Sequence, residues 1–538
     1  MSVMANRNRL RLGVIVDRMT LTNWQADALR HIADESELLV YNCTNKKLVR
    51  RRPRHAAYYL LNLFTVRNRM SRRRAWPAEL KATAVREFEA VQDGSWQALP
   101  RELLQQMRDD RLDAIVKFGM GLLRVPPAEQ LASPILSYHH GDPAHFRGRP
   151  AGFYEMQSGR PVMGQVVQRL SNRLDAGEIV AFAETKVSPH SYRATLVEAY
   201  RHSPLILKKA VNNSIAGRGW NPAEWGRAYR LPSNVPIVKF LLKQWRNACA
   251  HLLYGLFKEK QWKVATVAVP ESPTLKSVQQ SLADPANWRT IETPFAYRFL
   301  ADPFFYPAGG LLVEGFNSRS CRGEILHVGG DGVRRVSDRG GHFSYPAPYY
   351  DGEQWFVVPE ISEWSSPKIF GLRDSLIEAG ELRIPGREPL LDPTPFRHGG
   401  STYLFANLAT EGPSVLRLWT AEKLNDEFTE HPSSPVRLSP HGARMAGGIL
   451  ALGGDLVRVG QDLGRDYGDG LCFFRIKHIG LDRYEEEWVG DFRFGHCKGP
   501  HTFNIRGNQV AFDYYVDRFS LLAGMRRFRE RRAARSPE

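Results

Sequence analysis

Five segments in the second half of this chain share one pattern, and that pattern restricts the fold more than any other feature of the sequence. GGLLVEGF (309–316), EQWFVVPEI (353–361), STYLFANL (401–408), GDLVRVGQD (454–462) and NQVAFDYY (508–515) each read as a turn followed by a strand ending near a polar or acidic residue. They recur at roughly 45 to 55 residues, the span of a four-stranded propeller blade. From about residue 260 helical periodicity fades, and short strands rich in Val, Phe, Tyr and Trp are divided by Gly, Pro and Asp turns. Five such units predict an all-β five-bladed propeller. An irregular β-sandwich is the alternative, and the regular spacing favours the propeller.

The first half has a different periodicity. Residues 10–16 (LRLGVIV) read as a buried strand, 23–33 as an amphipathic helix and 37–42 as a second strand, the opening of an α/β open sheet. Further strands are expected at 112–118, 133–138 and 164–170, and a long helix at 192–216. The sheet is Rossmann-like, but its first turn lacks G-x-G-x-x-G, so a dinucleotide site has no support. The predicted division is an α/β domain at 1–218, a helical linker at 219–261, the propeller at 262–520 and a basic tail at 521–538. The linker holds one helix, PIVKFLLKQWRNACAHLLYGLF, whose helical apolar spacing predicts packing on one or both domains.

Net charge is +17, which favours anionic partners without choosing among them. Residues 46–75 concentrate it: eleven Lys and Arg, no acid, and the apolar stretch His55 to Phe64 between two basic blocks. Such a run can lie on an anionic membrane face or bind a phosphate-rich ligand. A solvated basic face with a small apolar stripe turned inward is the simpler reading. Five scattered cysteines without a C-x-x-C pair argue against a disulfide framework or structural zinc, and fit a reducing cytoplasm. No signal peptide is expected, and residues 236–257 are too polar for a clean membrane span, so the expectation is a cytoplasmic protein, at most peripheral to a membrane.

Chemistry concentrates in SYHHGDPAHFRGRPAGFYEMQSGRPVMGQVVQRLSNRLDAGEIV, residues 137–180. A His-rich loop follows a buried strand, and Asp175 sits in a later loop. Two readings stand. Either the pair is a satisfied core histidine and an unrelated turn aspartate, or the carboxylate holds the imidazole in a tautomer that shuttles a proton.

This stretch resembles the formyltransferase family, which includes methionyl-tRNA, glycinamide ribonucleotide and sugar N-formyltransferases. The matching elements, in order, are Ser137-Tyr138-His139, Phe146-Arg147-Gly148, the glycine-led strand from Gly164, and Asp175-Ala176-Gly177. The resemblance covers roughly residues 10–215. It implies formyl transfer from 10-formyltetrahydrofolate to an amine without a metal, with His139 and Asp175 catalytic. Ser137 stands where the family has an asparagine that donates to the developing oxyanion, so a shorter hydroxyl replaces an amide. His140 is one candidate replacement. Phe118, Gly119, His140, Arg147, Gly148 and Gly177 are the implied cofactor-binding residues.

In the second half, carboxylates on the inner strands of successive blades can converge on the propeller axis, where paired acids can act on glycosidic bonds. The candidates are Asp302, Glu314, His342, Glu360, Asp392, Arg444, Gln461 and Asp462. The bland reading is that the Asp-Pro and Pro-Glu pairs are blade turns and that the acids bind backbone amides. Asp302-Pro303-Phe304, Arg322-Gly323-Glu324-Ile325, His342-x-Ser344-Tyr345-Pro346, Pro359-Glu360 and Tyr467-Gly468 resemble the N-terminal domain of plant glucosamine inositolphosphorylceramide transferases, over roughly 262–515. That resemblance implies a carbohydrate-handling module. The functional expectation is N-formylation of an amino sugar, nucleotide-linked or in a glycan or glycolipid. The alternative is a carbohydrate-binding or glycan-processing propeller with a degenerate first domain. Formylation of initiator tRNA is a third option, which the propeller disfavours, and nucleic acid is not an expected partner.

Overall fold

In the computed structural model, residues 9–45, 52–65, 67–337, 341–361, 366–373 and 375–533 are described. The chain divides into two compact units, Met1–Cys249 and Ala250–Glu538. The division falls inside the helix Asn234–Phe257, within the stretch expected to be a linker.

The first unit is an open α/β sheet. Its central strand Leu10–Asp17 pairs in parallel with Ser36–Cys43 on one side and Ala114–Lys117 on the other. Beyond Ser36–Cys43 lies Ala82–Phe88; beyond Ala114–Lys117 come Ile135–His139, then Val162–Arg169 and Glu178–Lys186, both antiparallel to their neighbours. Leu12, Val14, Ile15 and Val16 are wholly buried, as expected of a strand covered on both faces. The expected long helix at 192–216 is instead Tyr192–His202 and Leu207–Ile215, joined by the 3-10 turn Ser203–Ile206. Pro204 lacks the amide hydrogen an uninterrupted α-helix needs. The basic run is partly structured: it carries the helix Ala56–Phe64 and the edge strand Arg73–Ala75. Lys46, Lys47, Arg50 and Arg51 lie outside the described residues.

The second unit is a five-bladed propeller: five antiparallel sheets of four or five strands. The five repeated segments are the second strands of the five blades, Leu311–Asn317, Trp355–Glu360, Ser401–Leu408, Asp455–Asp462 and Gln509–Phe519. The last blade is composite. Phe503–Arg506 and Gln509–Phe519 come from the end of the unit, whereas Lys258–Ala268 and Arg289–Thr290 precede the first blade. Lys258–Ala268 and Gln509–Phe519 pair along eleven residues, from Lys258 opposite Phe519 to Ala268 opposite Gln509. The blades are cored by apolar clusters, such as Leu404, Ala406, Trp419 and Phe428 with Tyr349 and Phe356.

The innermost strands share an irregularity. Pairing is interrupted between Ala301 and Phe304, Ser344 and Ala347, Leu391 and Thr394, and His441 and Arg444. In the first three, the residue before a proline takes positive φ: Asp302 at 50°, Tyr345 at 47° and Asp392 at 46°. Proline inside a sheet is confined to edges and bulges, and a bulge re-aims the side chain beside it. The Asp-Pro pairs are therefore inner-strand bulges and not blade turns, which corrects that part of the bland reading; its other part holds, since Asp302 accepts from the Tyr345 amide at 3.1 Å and Glu360 from the Asp392 amide at 3.0 Å.

Candidate functional site

His139 ends the strand Ile135–His139 on the carboxyl side of the parallel strands, where open α/β sheets place ligands. Its Nε2 lies 2.9 Å from the Phe146 carbonyl oxygen. A carbonyl only accepts, so Nε2 carries hydrogen and donates. Gly141 permits this closure, since a Cβ there would stand 2.7 Å from His139 Nε2. The other ring nitrogen, Nδ1, faces Asp175 Oδ2 at 3.5 Å.

Asp175 is held from several sides. It sits at φ 45°, a left-handed conformation that aspartate tolerates better than most side chains. The Gly148 amide donates to its Oδ2 at 2.9 Å. Arg147 donates from Nε to the Gly226 carbonyl at 2.7 Å and from a terminal nitrogen to the Leu174 carbonyl at 3.2 Å. The Gly177 amide donates to Gln168 Oε1 at 3.0 Å. Gly148 could not be another residue: its φ is 89°, and a Cβ would lie 2.1 Å from the Tyr229 carbonyl oxygen.

His139 and Asp175 open into a cleft of about 880 Å³, within the range of small-molecule sites. Gly121, Leu122, Leu174 and Tyr229 form part of its wall. Arg52, Arg54, Arg149 and Arg230 supply positive charge around it, with His55 and Tyr59 beside them. The basic run, read from sequence as a solvated face, thus contributes to the cleft wall. No sequence signal beyond the absence of acids pointed there, because the placement depends on His55 Nδ1 donating to the Pro232 carbonyl at 2.8 Å, 177 residues away.

The implied cofactor residues separate. Gly148 lines the cleft; Phe118, Gly119, His140, Arg147 and Gly177 do not. His140 occupies the opposite pleat, among Trp24, Tyr138 and Tyr200, with Nε2 2.9 Å from Ser203 Oγ. Burial pushes its pKa down to about 3, keeping it neutral. It is a satisfied core histidine and no substitute for the missing asparagine. Phe118 packs on Trp24 and Tyr138. Gly119 admits the Asp17 side chain, whose Oδ1 would stand 2.8 Å from a Cβ. Arg147 and Gly177 brace the Asp175 loop. Ser137 shares the His139 face of the strand but is buried and outside the cleft lining.

The propeller axis holds a second polar cluster. Asp513, fully buried, accepts from the amides of Asp302, His501 and Thr502 at 3.0, 3.0 and 2.8 Å. Thr502 Oγ1 donates to Asp302 Oδ1 at 2.6 Å. Burial opposes charge on His501, but Asp513 and Asp302 outweigh it and hold its pKa above the ordinary value. Arg444 donates to both Asp392 and Glu360, and Gln461 Nε2 donates to Asp392 at 2.8 Å. Burial and the neighbouring Asp302 and Glu360 raise the Glu314 pKa well above its ordinary value. His342 Nε2 stands 3.7 Å from Glu314.

Of the eight sugar-site candidates, Asp462 is elsewhere, paired with His441 Nδ1 at 2.7 Å and with Arg493. Sequence reasoning missed Asp513, on the strand Gln509–Phe519 of the last blade, and His501 and Thr502, just before its strand Phe503–Arg506. Asp302, His501 and Asp513 have donor atoms close enough to share a cation, and so do His441, Asp462 and Cys472. In the first group, Asp302 and Asp513 are already engaged by amides and Thr502.

The fold and the two sites define a two-part chain, an α/β unit with a His–Asp cleft and a five-bladed propeller with a buried acid–base axis. Residues 286–508 match the family described as Glucosamine inositolphosphorylceramide transferase 1, N-terminal. Proteins of that name from Oryza sativa subsp. japonica and Arabidopsis thaliana are each 25% identical, over 221 and 226 residues, or 37% and 38% of this chain. The alignments span 29% of the length of each plant relative. Solved structures also overlap. Glycinamide ribonucleotide transformylase 1 from Symbiobacterium toebii is 17% identical, with 43% of this chain and 99% of that chain covered at a TM-score of 0.26. A formyltetrahydrofolate deformylase from Pseudomonas putida KT2440 is 15% identical, with 40% and 72% covered at 0.27. Overlaps at those scores lend no weight to a function.

Proposed function

We propose that the first unit transfers a formyl group from 10-formyltetrahydrofolate to the amine of an amino sugar. The observation that carries this reading is the His139–Asp175 pair at 3.5 Å, opening into a cleft of about 880 Å³. The cleft is large enough for a folate-sized donor, which Gly121, Leu122 and Leu174 would hold. When bound, the donor supplies the activated formyl carbon. Because Nε2 is committed to Phe146, Nδ1 is the ring atom free to act. A proton on Nδ1 can stabilise negative charge developing on the carbonyl oxygen or pass to a leaving nitrogen. Asp175 orients the ring and, at the same edge, can receive the proton that the attacking amine sheds. The propeller's likeness to a domain of plant glucosamine inositolphosphorylceramide transferases supports a sugar as the amine's carrier.

The test is tetrahydrofolate release from 10-formyltetrahydrofolate with a panel of free, nucleotide-linked and lipid-linked amino sugars. Wild type is expected to turn over with at least one. His139→Asn and Asp175→Asn should each lower kcat/KM by about a hundredfold or more while leaving the fold intact. Ser137→Asn should raise kcat. No turnover with any amine, together with no folate binding, overturns the proposal.

A second reading has its own observation. Strained backbone tends to gather at functional sites, and Asp302, Tyr345 and Asp392 at positive φ surround the axis where burial raises the Glu314 pKa. That arrangement supports a glycan-binding or glycan-processing propeller.

A further inference from the structure

The helix Asn234–Phe257 was expected to bury its apolar residues, and only Ile237 and Phe240 are buried. Val235, Val238, Leu241, Leu242 and Trp245 are 43% to 69% exposed and recur at helical spacing on the other face. Ala56–Phe64 shares a core cluster with this helix, Tyr58 and Leu61 together with Ile237 and Phe240. Asn234 fixes the junction: its Oδ1 accepts from the Ala57 amide at 3.0 Å, and its Nδ2 donates to the Pro53 carbonyl at 3.3 Å. Ala56–Phe64 in turn exposes Leu60, Leu63 and Phe64. All of this lies within the first unit.

Isolated exposed leucines are ordinary; eight large apolar side chains on two joined helices are not. The charge along the two segments that carry them has one sign. Arg52, Arg54, Arg67, Arg69, Arg72, Arg73 and Arg74 are exposed on one segment, and Lys239 and Arg246 on the other. The sequence has no Asp or Glu between residues 46 and 78 or between 225 and 258. A Trp- and Leu-bearing face on segments whose only charged side chains are Lys and Arg has the composition of helices that lie in a lipid–water interface. A second copy would bring cation against cation, whereas anionic headgroups complement the rim. No helix among the described residues is long and apolar enough to cross a membrane.

We infer that this two-helix face docks the first unit onto an anionic lipid surface. The segments that build the face also line the cleft, through Arg52, Arg54, His55 and Tyr59 on one and Arg230 and Leu231 before the other. Docking therefore brings these cleft-wall residues near the headgroups. That the acceptor amine is borne by a lipid-linked sugar rests on the formyl-transfer reading; the docking itself does not.

The test is flotation of the full chain with vesicles, without folate or amine. Phosphatidylcholine vesicles containing phosphatidylglycerol should carry the protein, and phosphatidylcholine alone should carry about tenfold less or lower. Phe64→Glu combined with Leu242→Glu should weaken binding to the mixed vesicles by about tenfold or more. Trp245→Phe should leave binding intact but remove part of the vesicle-induced blue shift in tryptophan emission. Failure to float with anionic vesicles, or a blue shift identical in Trp245→Phe, overturns the inference, and this second readout holds even if the double variant misfolds. A lipid-free dimer dissociated by Leu242→Glu alone would assign the face to a second copy and overturn it as well. Docking by a protein that shows neither turnover with any amine nor folate binding would sink the formyl-transfer reading alone.

Discussion

Glu155 offers a quantitative check on how the first unit is assembled. It lies on the short helix Phe153–Ser158 and is 3% exposed. Burial, reinforced by the charge of Asp142, pushes its carboxyl from 4.5 up to about 7. At about 1.4 kcal/mol per decade, that rise corresponds to roughly 3 kcal/mol between the two protonation states. The folded state binds the proton more tightly than the unfolded chain. The stabilisation is therefore fully present below about pH 4.5 and lost as pH rises through about 7. Glu155→Gln keeps the neutral shape and cannot ionise. The variant should match wild type near pH 4 and exceed it by up to roughly 3 kcal/mol at pH 8. Because two compact units need not unfold together, the assay is urea denaturation at a series of pH values, read by hydrogen exchange in residues 153–167. Parallel pH profiles for wild type and Glu155→Gln would refute the reasoning, since they would mean that Glu155 ionises in the folded state as readily as in water.

Two further outcomes are expected. Gly148→Ala places a Cβ against the Tyr229 carbonyl and forces an unfavourable φ; it should cost about 2 kcal/mol or more and remove the amide that holds Asp175, lowering tetrahydrofolate release beyond what the melt explains. In the propeller, Arg458 is fully buried and paired through two nitrogens with Glu486; Glu486→Gln should destabilise the second unit by about 3 kcal/mol or more in urea, against under about 1 kcal/mol for Arg475→Ala at an exposed pair.

How much of this was legible in the sequence depended on how local each feature is. The repeated second strands could be read because each is a buried run behind its own turn. Lys258–Ala268 could not be assigned to the last blade, since its partner lies some 250 residues on and no local pattern records the pairing. The motif order brought out His139 and Asp175, but not the difference between His139 and His140. Neighbours on a strand face opposite ways, so one of the two had to leave the cleft; the ring-lined pocket of Trp24 and Tyr200 took His140. Asp392 precedes a proline at an inner-strand bulge, whereas Asp462 ends a second strand. Their arginine partners, Arg444 at the axis and Arg493 away from it, are recorded by no local pattern.

The composite blade has a consequence for biosynthesis. Residues 258–268 emerge from the ribosome long before residues 509–519, and until then the first-made strand is an open edge with its hydrogen-bonding groups unpaired. The α/β unit can mature early, while the ring behind it waits for its last strand. A stop codon or protease cut shortly before residue 509 would therefore do more than shorten the protein: it would leave a ring without its clasp and a permanent template for strand addition.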